Sequence, residues 1–192
     1  MKTAFLRGMP LLLAASLAAC ATGGGRQGPA TGGVEVGRFH LGEPVARAQI
    51  AIEPFDRADA NRPEFPAYVA AVGKQLSRLG WTVAPATSQS EQIALIDLEQ
   101  GSREAIAALT AARIGRGVSA TVPSGTSANI TATLLEVAIR RRSDGTVFWE
   151  GRAVSEARTG SPEAGRVAAA ERLAEALFRD FPGESGRIIR VK

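Results

Sequence analysis

Hydrophobic side chains recur along this chain in two periods, and the switches between them mark out its elements. Val34, Val36 and Phe39 suggest a first strand, and Ala48, Ile50 and Ile52 repeat a one-faced alternation after a break at 42–44. From Asn61 the spacing lengthens to three and four residues. Phe65, Tyr68, Val69, Val72, Leu76 and Leu79 form one stripe, with Pro63 and Pro66 confined to the first turn and Gly80 just past the end, which predicts an amphipathic helix. Residues 81–84 and 92–99 then read as strands, the second apolar at both parities and so expected to be covered on both faces. Within 101–127, Ile106, Leu109, Ala112 and Arg113 are spaced for a short helix capped by Ser102, with Glu104 in its first turn. Gly115, Gly117, Pro123 and Gly125 then break every period and predict a loop.

The carboxyl half repeats the alternation at greater length. Residues 129–142 and 146–156 flank Ser143, Asp144 and Gly145, a turn with glycine where a positive φ is needed, so the two read as a long hairpin. Ile130, Ala132 and Leu134 share one parity and Leu135, Val137 and Ile139 the other, a shift that predicts a bulge near Leu134 and Leu135. Ser161, Pro162 and Glu163 open another helix, with Val167, Ala170, Leu173, Ala174, Leu177, Phe178 and Phe181 on its buried face, and Pro182 and Gly183 end it. Ile188, Ile189 and Val191 supply a last short strand. These elements predict an α+β fold: a mainly antiparallel sheet of about six or seven strands with two helices, from near Pro63 and Pro162, packed on one face. The alternative is a doubly wound sheet with helices on both faces, disfavoured by so long a hairpin between the helices.

The amino terminus follows a different pattern. Lys2 and Arg7 form a short positive region, Leu11 to Ala15 an apolar core too short for a stable span, and Leu17, Ala18, Ala19 and Cys20 close it. This resembles the lipobox of bacterial lipoproteins. The resemblance implies a signal peptide over 1–19 and a Cys20 that is acylated and becomes the first residue of the mature protein, anchoring it in a lipid bilayer. Residues 20–33 form a Gly-rich tether with a reach of roughly 20 Å, and 34–192 a single envelope domain. Ala21 follows the cysteine where inner-membrane retention commonly uses Asp, so the analogy points to the outer membrane with the domain facing the periplasm, and inner-membrane anchoring is the alternative.

Charge and composition narrow the chemistry. The chain has 192 residues, 45% of them hydrophobic and 22% charged, which suits one folded domain and neither a disordered chain nor a multi-span membrane protein. The net charge of +4 suggests nucleic acid, but taking Lys2 and Arg7 from the 23 basic residues leaves 21 against 19 acidic ones, too weak a field for that partner. One Cys and one His give no intrachain disulfide and no zinc site of the usual type, and no cofactor motif is present.

With those elements in place, a family likeness can be read. The lipobox, the stretch Ile50-Ala51-Ile52-Glu53-Pro54 before a helix ending Leu79-Gly80-Trp81, the hairpin with Asp144-Gly145 and Val147-Phe148-Trp149-Glu150-Gly151-Arg152-Ala153, and the closing helix Ala176-Leu177-Phe178-Arg179-Asp180-Phe181-Pro182 together resemble the bacterial lipoproteins of the domain-of-unknown-function 4136 family. The likeness covers most of the mature chain, and no catalytic or ligand-binding residues can be carried over from it. The chain departs from it in the Ala-rich stretch 105–112, where relatives are expected to carry a more Gly-rich insert.

Individual candidates for chemistry have simpler explanations. His40 with Glu35 and Glu43 nearby could form a general base, but no motif supplies a nucleophile. Ser119, Ser124 and Ser127 lack a nucleophile elbow and read as turn formers. Glu136 and Glu150 could make a glycosidase pair, though cross-strand pairing with Arg140 or Arg152 explains them better. Arg140, Arg141 and Arg142 are the candidate contacts for an anionic ligand, against a reading as the solvated end of the hairpin. Trp81 and Trp149 are expected in the core or at an interface. The function expected is therefore a non-catalytic envelope lipoprotein that binds a protein or cell-wall partner. The alternatives are an envelope hydrolase and a carrier or sensor for an apolar ligand held between helices and sheet.

Overall fold

The computed structural model describes residues 32–42, 44–114 and 129–192. The proposed signal peptide, Cys20, most of the tether, Glu43 and the loop serines lie outside the described residues. Seven strands form one sheet: β1 (Val34–His40), β2 (Gln49–Pro54), β3 (Thr82–Ala84), β4 (Gln92–Gly101), β5 (Ile130–Arg141), β6 (Val147–Arg158) and β7 (Ile188–Val191), in the order β3-β2-β4-β5-β6-β1-β7. Three α-helices accompany it: α1 (Phe65–Arg78), α2 (Arg103–Ile114) and α3 (Arg166–Phe178).

The expectation of a mainly antiparallel sheet with two helices is overturned on both counts. The sheet is mixed, because β2 runs parallel to both β3 and β4, while β4, β5, β6, β1 and β7 pair antiparallel in turn. The cause is the first helix. A chain that leaves β2, crosses back through α1 and re-enters beside β2 can only lay β3 down in the same direction. The helix count changes because the short helix at 103–114 is fully formed and lies on the opposite face of the sheet from α1 and α3. Helices on both faces match that part of the doubly wound alternative, without its uniformly parallel strands.

Alternation along the strands builds the core between the sheet and the α1/α3 layer. Ala94, Ile96 and Leu98 on β4 face Ile139, Val137 and Leu135 on β5, which in turn face Trp149, Gly151 and Ala153 on β6. Val72 and Leu76 from α1 and Leu173, Ala174 and Leu177 from α3 close over them, all fully buried. Trp149 is in the core as expected, stacked on Phe178 with ring centroids 5.3 Å apart and donating its indole N–H to the carbonyl of Pro182 at 3.1 Å. Burial on α3 starts only at Ala169, so Val167, expected inside, is exposed in the first turn.

No bulge occurs at Leu134 and Leu135, where the register runs unbroken on both sides. Both leucines are buried because β5 is covered on both faces, Leu135 by the helix layer and Leu134 by Ile106 of α2. The irregularity lies instead between Ile139 and Arg140, next to the turn. Ser102 caps α2 as its sequence suggests, its hydroxyl accepting from the Ala105 N–H at 3.1 Å.

Candidate functional site

The face of the sheet that carries α2 holds most of the chemistry-bearing side chains. Asp97, Glu136 and Arg152 stand in register on β4, β5 and β6, one row across the sheet. Two carboxylates side by side in a nearly dry place would repel each other unless cations intervened. Arg113, from the last turn of α2, donates to Asp97 at 2.6 Å and also to Glu136, while Arg152 donates to Glu136 at 2.5 Å and also to Glu150. Both carboxylates in the row are buried. Burial alone would weaken Arg113's hold on its proton, but the hydrogen bonds to Asp97 and Glu136 outweigh it and strengthen that hold. A second pair, Arg103 with Glu156, fixes the first turn of α2, and this contact tightens the proton on Arg103. Each end of α2 is thus ionically fastened to the sheet.

A cleft of about 570 Å³ opens between the 3-10 turn Arg57–Asn61 and α2, with Asp97 and Glu99 on β4 and Phe55 and Arg57 along its sides. The Asp97 carboxylate that borders it is held by Arg113. A second groove, of about 470 Å³, runs over the outer surface between α1 and α3 and is edged by Lys74, Arg78, Glu171 and Glu175. The space between these helices and the sheet, where an apolar ligand would sit, is filled by Leu76, Trp149, Leu173 and Leu177.

The candidates from the sequence are dispersed. His40 projects to the helix side, opposite Trp149 in the register, where one ring nitrogen meets the Gly183 carbonyl at 3.1 Å and the other accepts from the Gly42 N–H at 3.1 Å. It does not meet Glu136 or Glu150, which are on the other face. Glu136 pairs with Arg152 across β5 and β6, the cross-strand arrangement expected, whereas Glu150 pairs with the same Arg152 along β6 itself. The three consecutive arginines have three different fates. Arg141 pairs with Asp144 inside the turn at 2.6 Å. Arg142 reaches across β4 to Glu53 at 2.6 Å and donates to the Ser90 carbonyl at 2.9 Å. Arg140 alone of the three has no carboxylate partner among the described residues, and its Nε is buried without an acceptor.

Asp97 and Arg113 were not singled out as a pair by sequence reasoning, although the signal was present. Asp97 interrupts an otherwise apolar run on β4 and is a charge set at a buried position, and Arg113 continues the Ile106 and Leu109 stripe of α2 toward it while staying partly exposed. Among the described residues, no group of His, Cys, Asp and Glu is arranged to hold a metal ion, and no helix is long and apolar enough to cross a membrane.

No protein-family model matches the chain. It is similar to an uncharacterized protein of Zymomonas mobilis, 27% identical over an alignment covering 85% of this chain and 82% of that protein. Among solved structures, a PDZ domain protein from Parabacteroides distasonis aligns with a TM-score of 0.50 at 10% identity, over 83% of this chain and 39% of that one. That likeness is one of fold, and this chain spans about two fifths of that protein's length. The PelC dodecamer from Paraburkholderia phytofirmans aligns with a TM-score of 0.42 at 12% identity, over 73% of this chain and 91% of that one.

Proposed function

We propose that this chain is a bacterial envelope lipoprotein of the domain-of-unknown-function 4136 type, anchored through an acylated Cys20 and carrying a non-catalytic binding domain. The domain faces the periplasm from the outer membrane. The observation that carries the binding reading is how the charges on the α2 face are used. Asp97, Glu136, Glu150 and Glu156 are each held by an arginine, whereas Phe39, Leu41, Val147 and Ile188 are left exposed on or beside the same sheet. A catalytic carboxylate needs a proton it can exchange with substrate, and a double ion pair ties that proton chemistry down. Exposed large apolar side chains gathered in one place are the usual mark of a surface that meets another molecule. The anchor reading is supported by the single cysteine standing at the end of the Leu17-Ala18-Ala19-Cys20 stretch.

Metabolic labelling with radioactive palmitate tests the anchor. Label is expected on the wild-type chain and absent from Cys20→Ala, with the wild type in the membrane fraction and the variant released from it. Label that survives the substitution would refute acylation at this residue.

A further inference from the structure

Among the described residues, six large apolar side chains are exposed, and four of them, Phe39, Leu41, Val147 and Ile188, lie on or at the ends of neighbouring strands. Ile188 on β7 stands opposite Gly37 on β1, close enough that a β-carbon on Gly37 would be 3.7 Å from it. Phe39 is two residues along β1 from Gly37, and the Leu41 N–H donates to the Phe148 carbonyl at 3.4 Å, which places Leu41 beside the start of β6 and Val147. Helix α2 does not reach this region. Its apolar contacts are with Ala132, Leu134 and Val154, and its ionic contacts end at Asp97, Glu136 and Glu156. Among the described residues, nothing covers the β7/β1 half of the face.

The rim of this patch carries charges of both signs that have no ion-pair partner among the described residues. Arg140, in register with Val147, leaves its Nε buried and unaccepted. Glu35 and Arg190, facing each other across β1 and β7, make no ion pair among the described residues. An apolar centre within a polar rim is the general anatomy of a protein interface. In a contact related by a two-fold axis, residue i meets j and j meets i, so the surface must complement itself. A patch with acid and base around one apolar centre meets that condition. A surface built for an acidic or a basic partner would carry one sign only.

We propose that the β7/β1 half of the α2 face is the contact between two copies of this chain, with Phe39, Leu41, Val147 and Ile188 at its centre and Glu35, Arg140 and Arg190 on its rim. The proposal rests on the domain being a binding module, and not on the anchor.

The test is sedimentation velocity on the full chain carrying Cys20→Ser, so that acylation and shared micelles cannot bring copies together. A dimer is expected at about 10–100 µM. Ile188→Asp and, separately, Phe39→Ser should raise the dissociation constant at least about 100-fold with the far-ultraviolet dichroism unchanged, since each removes apolar contact from the patch centre. Val167→Asp, exposed on the other face of the sheet, should leave the dimer intact. A monomeric parent chain at the top of that range overturns the proposal, as does a dimer that survives both patch variants or is lost with Val167→Asp. These results leave palmitate labelling of Cys20 untouched, so this proposal and the anchor fail separately.

Discussion

The indole of Trp149 lies across Gly151, two residues further along the same strand, and leaves no room there for a side chain. A β-carbon at Gly151 would sit 2.7 Å from Leu177 Cδ1 and closer still to the indole ring. Glycine inside a strand is ordinarily a weakness, and here the ring fills the space its missing side chain leaves. Gly151→Ala is expected to destabilise the domain by about 2 kcal/mol through overpacking. Trp149→Ala should cost about 3–5 kcal/mol through lost burial and a cavity. Because the added methyl group clashes mainly with the ring, the double variant should lose clearly less than the sum in urea unfolding. Additive losses would show that Leu177, and not Trp149, sets the limit at Gly151.

Arg38 is a buried cation whose work is to end a helix. From β1 its Nε donates to the Leu177 carbonyl at 2.8 Å, and one terminal nitrogen donates to Ala176 at 3.0 Å and Arg179 at 2.7 Å. These are carbonyls that the last turn of α3 cannot satisfy itself, at the negative end of the helix dipole. Burial weakens Arg38's hold on its proton and the charge of Asp180 opposes that, yet an arginine stays charged through the ordinary pH range. Arg38→Met keeps the stem and removes the fork, so a loss of about 3 kcal/mol is expected, with faster amide exchange in the last turn of α3 than in its middle. Arg38→Lys should recover only part, because one ammonium cannot reproduce the planar fork.

The two long helices and most strands are legible from periodicity, since 3.6 and 2.0 are set by backbone geometry alone. Pairing direction is less so. Nothing in Ile50 or Val83 marks β2 and β3 as parallel, and that relation follows from where α1 returns the chain. The adjacent Leu134 and Leu135 misled in an informative way: two buried neighbours on one strand can mean a bulge or a strand roofed on both sides, and only the position of α2 decides. The same holds for the site. Arg140, Arg141 and Arg142 are equivalent as a run of letters, but turn geometry gives Arg141 to Asp144, the reach across β4 gives Arg142 to Glu53, and Arg140 is left over.

The hairpin turn should lose an acid-sensitive support through Asp144. Asp144 accepts from the Thr146 backbone N–H at 2.9 Å and pairs with Arg141, and the Thr146 hydrogen bonds, then Arg141, hold its carboxyl down from 3.8 to about 2. A carboxyl with a depressed folded-state value supports the fold above its unfolded value and loses that support as pH falls through the folded one. The window here is therefore from about 4 down to about 2. Over that range the Thr146 amide resonance should shift with the Asp144 carboxyl. In Asp144→Asn the shift should vanish, and a Thr146 amide that still titrates in that variant would assign the effect to another group.

Removing the cation between Asp97 and Glu136 should turn a neutralised pair into a proton-sharing one. The two carboxylates are register partners on β4 and β5, with Arg113 donating to both and Arg152 to Glu136 alone. In Arg113→Met, Arg152 still serves Glu136, but Asp97 is left buried beside a like charge with no cation of its own. Burial and the neighbouring charge both disfavour its ionised form, so the pair should take up a proton above the ordinary carboxylate range. The sign of the stability change follows. A carboxyl whose folded-state value is raised gives full support below its unfolded value and loses it as pH rises through the folded one. The variant should therefore be less stable than wild type by about 2 kcal/mol at pH 7, a figure kept modest because Arg113 is partly exposed, and the deficit should shrink toward pH 4–5. Urea unfolding across that range measures it, with carboxyl carbon shifts of Asp97 and Glu136 reporting the shared proton. A deficit that is flat with pH would mean that Arg113 holds α2 to the sheet by packing alone.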